Sequence, residues 1–402
     1  MIPNCLKIAL IVSLGIWAEA TRAEDHVLDS MDSLRLQVPA DKAKAELVEG
    51  KLGKAVRLAF ADDCKNVYVQ TRCAGKPAWD QMAGFSFWVK GDGSDHLGGI
   101  EIIFNGDYSL RYACAFPIDG TEWRKVVVAW GDLLPETANA AALAIDAWRG
   151  NAPSKLGAIW FGKWWYWRDY SAHSYTIDDL RLEPALPADE TDFRPVGDPL
   201  ARVRAKLDRH DPIAIVLMGD SLTDTQHWAN REHNWPAMLK AKLAAAHGAE
   251  ISLVNSALGG TELRQNLVLI PRWSSKHADA DLVIVCFGGN DWSAGMRGAA
   301  FEEANRDAID RIRRATGGRA GVMLCTTCPS VERWDTMAEL SVACRNAAKA
   351  ANSALADIDA AFHEAAASQK EREQLFVDDK THLSKAGHEL FAETVWKAIE
   401  GE

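Results

Sequence analysis

The chain has 402 residues, 48% hydrophobic and 25% charged, a globular balance that excludes wholesale disorder and collagen-like repeats and leaves room for two or three domains. Lys and Arg number 45 against 56 Asp and Glu, a net charge of -11, so a protein that tracks nucleic-acid phosphates with a basic surface is disfavoured. Sixteen Trp is several times ordinary usage and asks for a physical reason.

In chain order, residues 1–23 read as a secretory signal peptide. Lys7 precedes an apolar stretch from Ile8 to Trp17, and small-residue cleavage sites follow at Ala18-Glu19-Ala20 and Thr21-Arg22-Ala23, with cleavage expected after Ala23. That stretch is too short to cross a bilayer, and no later segment approaches the ~20 apolar residues of a spanning helix. The expectation is a soluble chain, secreted or periplasmic, with no membrane span. Cys5 leaves with the signal, so seven of eight Cys remain and at least one thiol has no partner within the chain. Cys325-Thr326-Thr327-Cys328 has redox or zinc-like spacing without a companion pair, so buried structural Cys, with one bridge such as Cys64–Cys73, is expected.

Residues 24–185 carry short alternating segments: 55–60, 67–69, 84–89, 99–104, 111–116, 125–130, 156–161 and 174–182. Turn residues such as Gly91-Asp92-Gly93-Ser94 and Asp119-Gly120 separate them at hairpin-like intervals, which predicts an antiparallel β-sandwich, jelly-roll-like. Nine of the Trp fall here, and Trp164-Trp165-Tyr166-Trp167, read as a strand, leaves aromatics near solvent on one face. Asp178 or Asp179 is a candidate ligand for a structural calcium, since carboxylates are hard oxygen donors.

Residues 186–205, rich in Pro and acids, read as a linker. From 206 to 402 strands and helices alternate. The apolar strand 213–218 precedes a helix with Pro236 in its first turn and Gly248 past its end. Strands at 251–254, 281–287, 321–325 and 354–358 follow, with helices around 301–314, 337–350 and 385–399. Such alternation predicts a parallel sheet covered on both faces, with ligands bound at the C-terminal ends of its strands.

Four segments stand at those ends or just before the last helix: Gly219-Asp220-Ser221-Leu222-Thr223-Asp224, Asn255 to Thr261, Gly288-Gly289-Asn290-Asp291, and Asp379-Lys380-Thr381-His382-Leu383-Ser384. A hydroxyl becomes a useful nucleophile when an imidazole removes its proton, and the imidazole needs a partner to fix its tautomer. Ser221, His382 and Asp379 suit those roles, since one turn of chain brings residues 379 and 382 together. The N–H groups of Ser221 and Gly260 and the Asn290 amide are candidate donors to an oxyanion. G-x-S-x-G, H-E-x-x-H and the P-loop motif are missing, which disfavours an α/β-hydrolase elbow, a zincin and a P-loop enzyme.

The four blocks, in this order, resemble the SGNH, or GDSL-type, hydrolase family, whose Ser, Gly, Asn and His map onto Ser221, Gly260, Asn290 and His382, with Asp379 at the D-x-x-H aspartate. The resemblance spans about residues 210–400 and implies a three-layer α/β/α domain that needs no cofactor. Where the family often has Gly two residues after Asn this chain has Ala257, which leaves Gly260 and Gly259 both open as the block glycine. Trp292, Arg264 and Gln265 are candidate substrate contacts, whereas Trp228, Trp235 and Trp273 are expected in the core.

The segment 174–182, with Phe85 to Val89, makes the front domain similar to carbohydrate-binding jelly rolls; support of the second domain is its other reading. The resemblances together imply a secreted serine esterase that removes O-acyl, chiefly O-acetyl, groups from a polysaccharide. Its rivals are a lipase, thioesterase or peptidoglycan O-acetyl esterase on the same triad, and a glycan-binding protein without catalysis.

Overall fold

The computed structural model describes residues 26–34, 42–104, 106, 111–135, 152–186 and 191–402; the expected signal peptide 1–23 lies outside the described residues. Alternation drives the front half. In β3 (Lys54–Phe60) Val56, Leu58 and Phe60 turn inward while Arg57 stays in water, and β5 (Gly84–Gly91) buries Phe85, Phe87 and Val89 in the same way. With β1 (Val27–Asp29), β2 (Ala43–Glu49), β8 (Arg124–Ala129) and β11 (His173–Glu183) they form one antiparallel sheet ordered β2-β3-β11-β5-β8, with β1 also on β11. The second sheet runs β4 (Val67–Arg72), β10 (Leu156–Lys163), β6 (Leu97–Phe104), β7 (Arg111–Pro117), β9 (Leu134–Pro135). Between the sheets lies an aromatic-rich core that includes Phe87, Phe116, Phe161 and Tyr175.

The back half is a parallel sheet ordered β13 (Ile251–Asn255), β12 (Ile213–Gly219), β14 (Leu282–Cys286), β15 (Gly321–Cys325), β16 (Ala354–Ala356). Ile213, Ile215 and Leu217 face a layer made by α1 (Ala201–Asp208), α2 (Trp235–His247), α8 (Ile358–Ala365) and α10 (Lys385–Glu400). Val216 and Met218 face α3 (Leu263–Val268), α4 (Ile270–His277), α6 (Gly298–Ala315) and α7 (Ala338–Ala351). The result is a three-layer α/β/α domain. Short α5 (Gly289–Ser293) and α9 (Gln369–Gln374) complete it. Because β13 and β14 flank β12 on opposite sides, the strand order reverses there, and a crevice opens beyond the carboxyl ends of those strands.

Helix boundaries follow their caps. The Asn234 side chain accepts from Ala237 N at 2.9 Å ahead of α2, and Gly248 ends it with φ 60°. Where composition suggests linker, α1 starts at Ala201 and packs Val203 and Leu207 into the core of the α/β domain.

The two halves are packed together. Ala113 of β7 and Leu134 of β9 share a buried cluster with α3 and α4, and Arg311 of α6 donates to the carbonyls of Gly131 and Asp132, both at 3.0 Å.

Three expectations change. The 164–167 run is no strand: β10 pairing ends at Lys163 opposite Val67, and the chain curls into a 3-10 turn at Trp165–Trp167. Trp164, Tyr166 and Trp167 are buried there and Trp165 alone of the run is exposed, because the turn wedges its rings between β6 and the α/β domain. Cys64 and Cys73 are both free thiols, the former donating to Lys42 O, so the bridge is not formed. Trp235 and Trp273 are buried as expected, but Trp228 is 57% exposed.

Asp178 Oδ2 accepts from the amides of Lys51 and Leu52, and Asp179 pairs with Arg181 at 2.5 Å, so both candidate calcium ligands hold protein donors. Among the described residues no group of three or more His, Cys, Asp or Glu is placed to hold a metal.

Candidate active site

Ser221 sits on a tight turn off β12. Asp220 O accepts from the amides of Thr223 and Asp224 at 3.0 and 2.9 Å, and Asp220 Oδ1 accepts from Leu222 N at 3.0 Å. The buried Asn230 side chain clamps the turn from behind, donating to Ser221 O at 2.6 Å and to Asp224 O at 2.8 Å. These bonds leave the Ser221 side chain pointing into an open cavity of about 870 Å³ that it lines with His382, Gly260 and Asn290.

His382 is presented by a short loop ahead of α10. Val377 N donates to His382 O at 2.8 Å, and Leu383, fully buried, anchors the chain beyond it. Asp379 Oδ1 accepts from the amides of Thr381 and His382, each at 2.9 Å, an Asx turn that fixes its carboxylate. Its other oxygen then meets His382 Nδ1 at 2.5 Å, and His382 Nε2 lies 2.9 Å from Ser221 Oγ. Partial burial pushes the Asp379 carboxyl upward, but the amide and ring of His382 outweigh it and hold the carboxyl below its ordinary value. A charged Oδ2 selects the tautomer with the proton on Nδ1, and Nε2 is then an acceptor for the Ser221 hydroxyl.

Hydrogen-bond donors face the same space. Gly259 N donates to Asp224 Oδ2 at 3.0 Å, whereas the N–H groups of Gly260 and Ser221 have no partner among the described residues. Of the two open glycines, Gly260 is therefore the one with a free donor. Its φ of 79° is left-handed, a region that favours glycine. Asn290 Nδ2 donates one hydrogen to Thr261 O at 3.0 Å and keeps a second for a ligand.

The other candidates lie elsewhere. Arg264 and Gln265 are buried in α3 and do not line the cavity; Gln265 Oε1 accepts from Glu262 N in a capping box. Behind Asn290, Asp291 accepts from Leu263 N, and burial, opposed by that amide and more weakly by the Arg264 charge, pushes its carboxyl up to about 6. Trp292 also stays off the cavity, its ring covered by the Arg297 guanidinium at 3.7 Å.

Residues with no local sequence signal line the cavity instead. The His227 ring stacks on His382 with centroids 4.2 Å apart, and Trp228 meets His382 edge-on at 5.8 Å. Burial first, then the His382 charge, lowers the His227 pKa, which favours a neutral neighbour for the imidazolium that general-base action creates. Arg231 and, from the front half, Arg168 complete the wall.

Several solved structures are similar in part. The lipase/acylhydrolase from Enterococcus faecalis is 23% identical with a TM-score of 0.40, over 47% of this chain and 96% of that one. The acetylxylan esterase Axe2 from Geobacillus stearothermophilus is 22% identical with a TM-score of 0.39, over 47% and 95%. A family 11 carbohydrate-binding module from Clostridium thermocellum is 13% identical with a TM-score of 0.33, over 40% and 97%. No curated protein matches the chain. Residues 217–390, which run from the end of β12 into α10 and hold Ser221, Gly260, Asn290, Asp379 and His382, match the model of the GDSL-like lipase/acylhydrolase family.

Proposed function

We propose that this protein is a secreted serine esterase that hydrolyses O-acyl esters, chiefly O-acetyl, on a polysaccharide. The observation that carries the reading is the unbroken chain Asp379 Oδ2, His382, Ser221 Oγ, with spacings of 2.5 and 2.9 Å. His382 Nε2 takes the Ser221 proton as Oγ attacks the ester carbonyl, and Asp379 supports the imidazolium. The N–H groups of Ser221 and Gly260 and the free Asn290 Nδ2 hydrogen receive the oxyanion. His382 then returns the proton to the departing sugar oxygen and the acyl group stays on Ser221. Water, deprotonated by the same ring, releases the acid and restores the serine. No cofactor takes part.

A glycan as acyl carrier is supported by the open, wide cavity and by Trp228, whose half-exposed ring stands at its wall. An aromatic face packs against sugar C–H groups, and Trp165 offers a second exposed ring beside Arg168, 5.8 Å away. Secretion rests on the N-terminal sequence. The test is release of acetate from a panel of acetylated glycans and from an aryl acetate. Ser221→Ala is expected to lower kcat at least ~10⁴-fold on each active substrate. Turnover at the wild-type rate in that variant would overturn the assignment.

A further inference from the structure

We infer that Arg168, a residue of the β-sandwich, positions the oxyanion donor of the other domain, so that the front domain is a working part of the esterase site. The inference rests on the reading of Gly260 N–H as an oxyanion donor.

Arg168 Nη2 donates to the carbonyl oxygen of Gly259 at 2.6 Å. That carbonyl and the N–H of Gly260 belong to one peptide unit. The unit is planar and trans, so its C=O and N–H point in opposite directions, and holding the oxygen from one side fixes where the N–H aims on the other. The same bond is charge-assisted and draws electron density toward the carbonyl oxygen, which makes the N–H a stronger donor. Gly259 is also held through its own amide by Asp224 Oδ2 at 3.0 Å. Arg168 thus supplies the restraint on the second peptide, beyond the glycine that Asp224 fixes.

The guanidinium is itself placed by a rigid support. Arg168 closes the 3-10 turn Trp165–Trp167 in a left-handed conformation, φ 53°. Trp164, Tyr166 and Trp167 are buried in a cluster with Leu97 and Leu269, and Leu258, the residue before Gly259, packs against it. A Cβ on Gly99 of β6 would come within 2.1 Å of the Trp164 ring, so the glycine is what lets these rings settle onto the sheet. From the opposite side Arg272 of α4 donates to Trp167 O. The turn is therefore tied to the other domain at Trp167, through Arg272, and at Arg168, through Gly259. This accounts for tryptophans packed where a free-standing sugar-binding sandwich would have no need of them. An exposed arginine so held is a positioning residue: it reaches the reaction through the Gly259–Gly260 peptide.

The experiment compares Arg168→Ala and Arg168→Lys with the wild-type chain on 4-nitrophenyl acetate, a substrate too small to reach the glycan-binding surface. It also measures inhibition by an alkyl boronic acid, which forms a tetrahedral adduct on the serine. Removing a whole oxyanion donor costs about 10²–10³ in kcat, so loosening one is expected to cost about tenfold. The expected result for Arg168→Ala is a kcat about tenfold lower, a KM changed less than about twofold, boronate binding weakened by the same factor as kcat, and an unchanged melting temperature. Arg168→Lys, which keeps a donor and the charge, recovers part of the loss. An unchanged kcat and boronate affinity in Arg168→Ala would overturn the inference, as would a loss carried by KM alone, which would make Arg168 a substrate contact. Ser221→Ala in the same series separates the cases: if it retains turnover the triad reading fails, whereas an inactive Ser221→Ala beside a fully active Arg168→Ala condemns only the role of Arg168.

Discussion

Replacing Asp379 by Asn tests the triad at its most specific point. Asn keeps an Oδ1 that can accept from the amides of Thr381 and His382, now both at 2.9 Å, so the loop that carries the histidine survives. What changes is the atom 2.5 Å from His382 Nδ1: an acceptor oxygen becomes an NH₂ donor. The ring must then offer a lone pair at Nδ1 and carry its proton on Nε2, where it points at Ser221 and can no longer take a proton from it. Two losses combine. A carboxylate and an imidazolium about 4 Å apart attract by about 1 kcal/mol in bulk water and about 4 kcal/mol at an effective dielectric of 20. The Asp379 side chain is 35% exposed, which puts the pair between these limits, at about 2 kcal/mol. Reversing the tautomer against its hydrogen bonds adds a further ~2 kcal/mol. The sum is about 4 kcal/mol, or about 10³ in kcat. Steady-state hydrolysis of an aryl acetate reads it, with KM and melting temperature expected to stay near their wild-type values. A fall in kcat of less than about tenfold would refute the reasoning, because Asp379 would then not be setting the tautomer.

Two further outcomes follow from the surroundings of the triad. Asp220 is 4% exposed, and burial, reinforced by the Asp291 charge, pushes its carboxyl up to about 7. The unfolded chain gives up that proton near pH 4 and the folded protein keeps it to about 7, so this group's contribution to stability is present at low pH and is lost as pH rises across that window. Asp220→Asn, which keeps the acceptor for Leu222 N, is expected to raise stability at pH 8 by up to about 4 kcal/mol and to change it little at pH 4; denaturant unfolding giving equal gains at both would count against it. Trp228→Ala removes a ring that is 57% exposed, so folding should change by less than about 0.5 kcal/mol. Losing an aromatic–sugar contact of about 0.5–1.5 kcal/mol should raise KM about two- to tenfold on an acetylated polysaccharide and leave an aryl acetate almost unaffected; equal effects on both substrates would exclude a sugar-contacting role.

What could be read from the sequence and what could not divide along a physical line. Each of the four blocks is a local feature, a few polar residues directly after an apolar strand or before a capped helix, and so Ser221, Asn290 and His382 are legible one segment at a time. The D-x-x-H spacing is legible for the same reason: the Asx turn that joins Asp379 to His382 is closed within four residues. Burial of Arg264 and Gln265 was not legible, because α3 is a helix of six residues with polar side chains turned inward, against the usual pattern. Nor was exposure of Trp228, since its place at the cavity depends on contact with His382, far along the chain. The aromatic run 164–167 misleads for a related reason. Alternation predicts a strand only while a neighbouring strand takes its hydrogen bonds, and the pairing partner of β10 gives out at Lys163.

The same line explains why the front domain should matter to the chemistry at all. A site at the carboxyl ends of parallel strands is built from loops, and loops are the least restrained part of such a domain. Ser221 is braced from within, by Asn230, and His382 by Asp379, but the Gly259–Gly260 peptide has small residues on both sides and a backbone that favours many conformations. Oxyanion stabilisation depends on donors fixed in advance, since a donor that must be ordered during the reaction loses its advantage to entropy and reorganisation. Glycine at this position therefore needs an external restraint, and the restraint must come from a rigid body. A turn with three buried aromatic rings, held by a sheet on one side and by Arg272 on the other, meets that need better than another loop of the same domain. The aromatic rings buried at the junction then form the support from which Arg168 reaches the Gly259–Gly260 peptide.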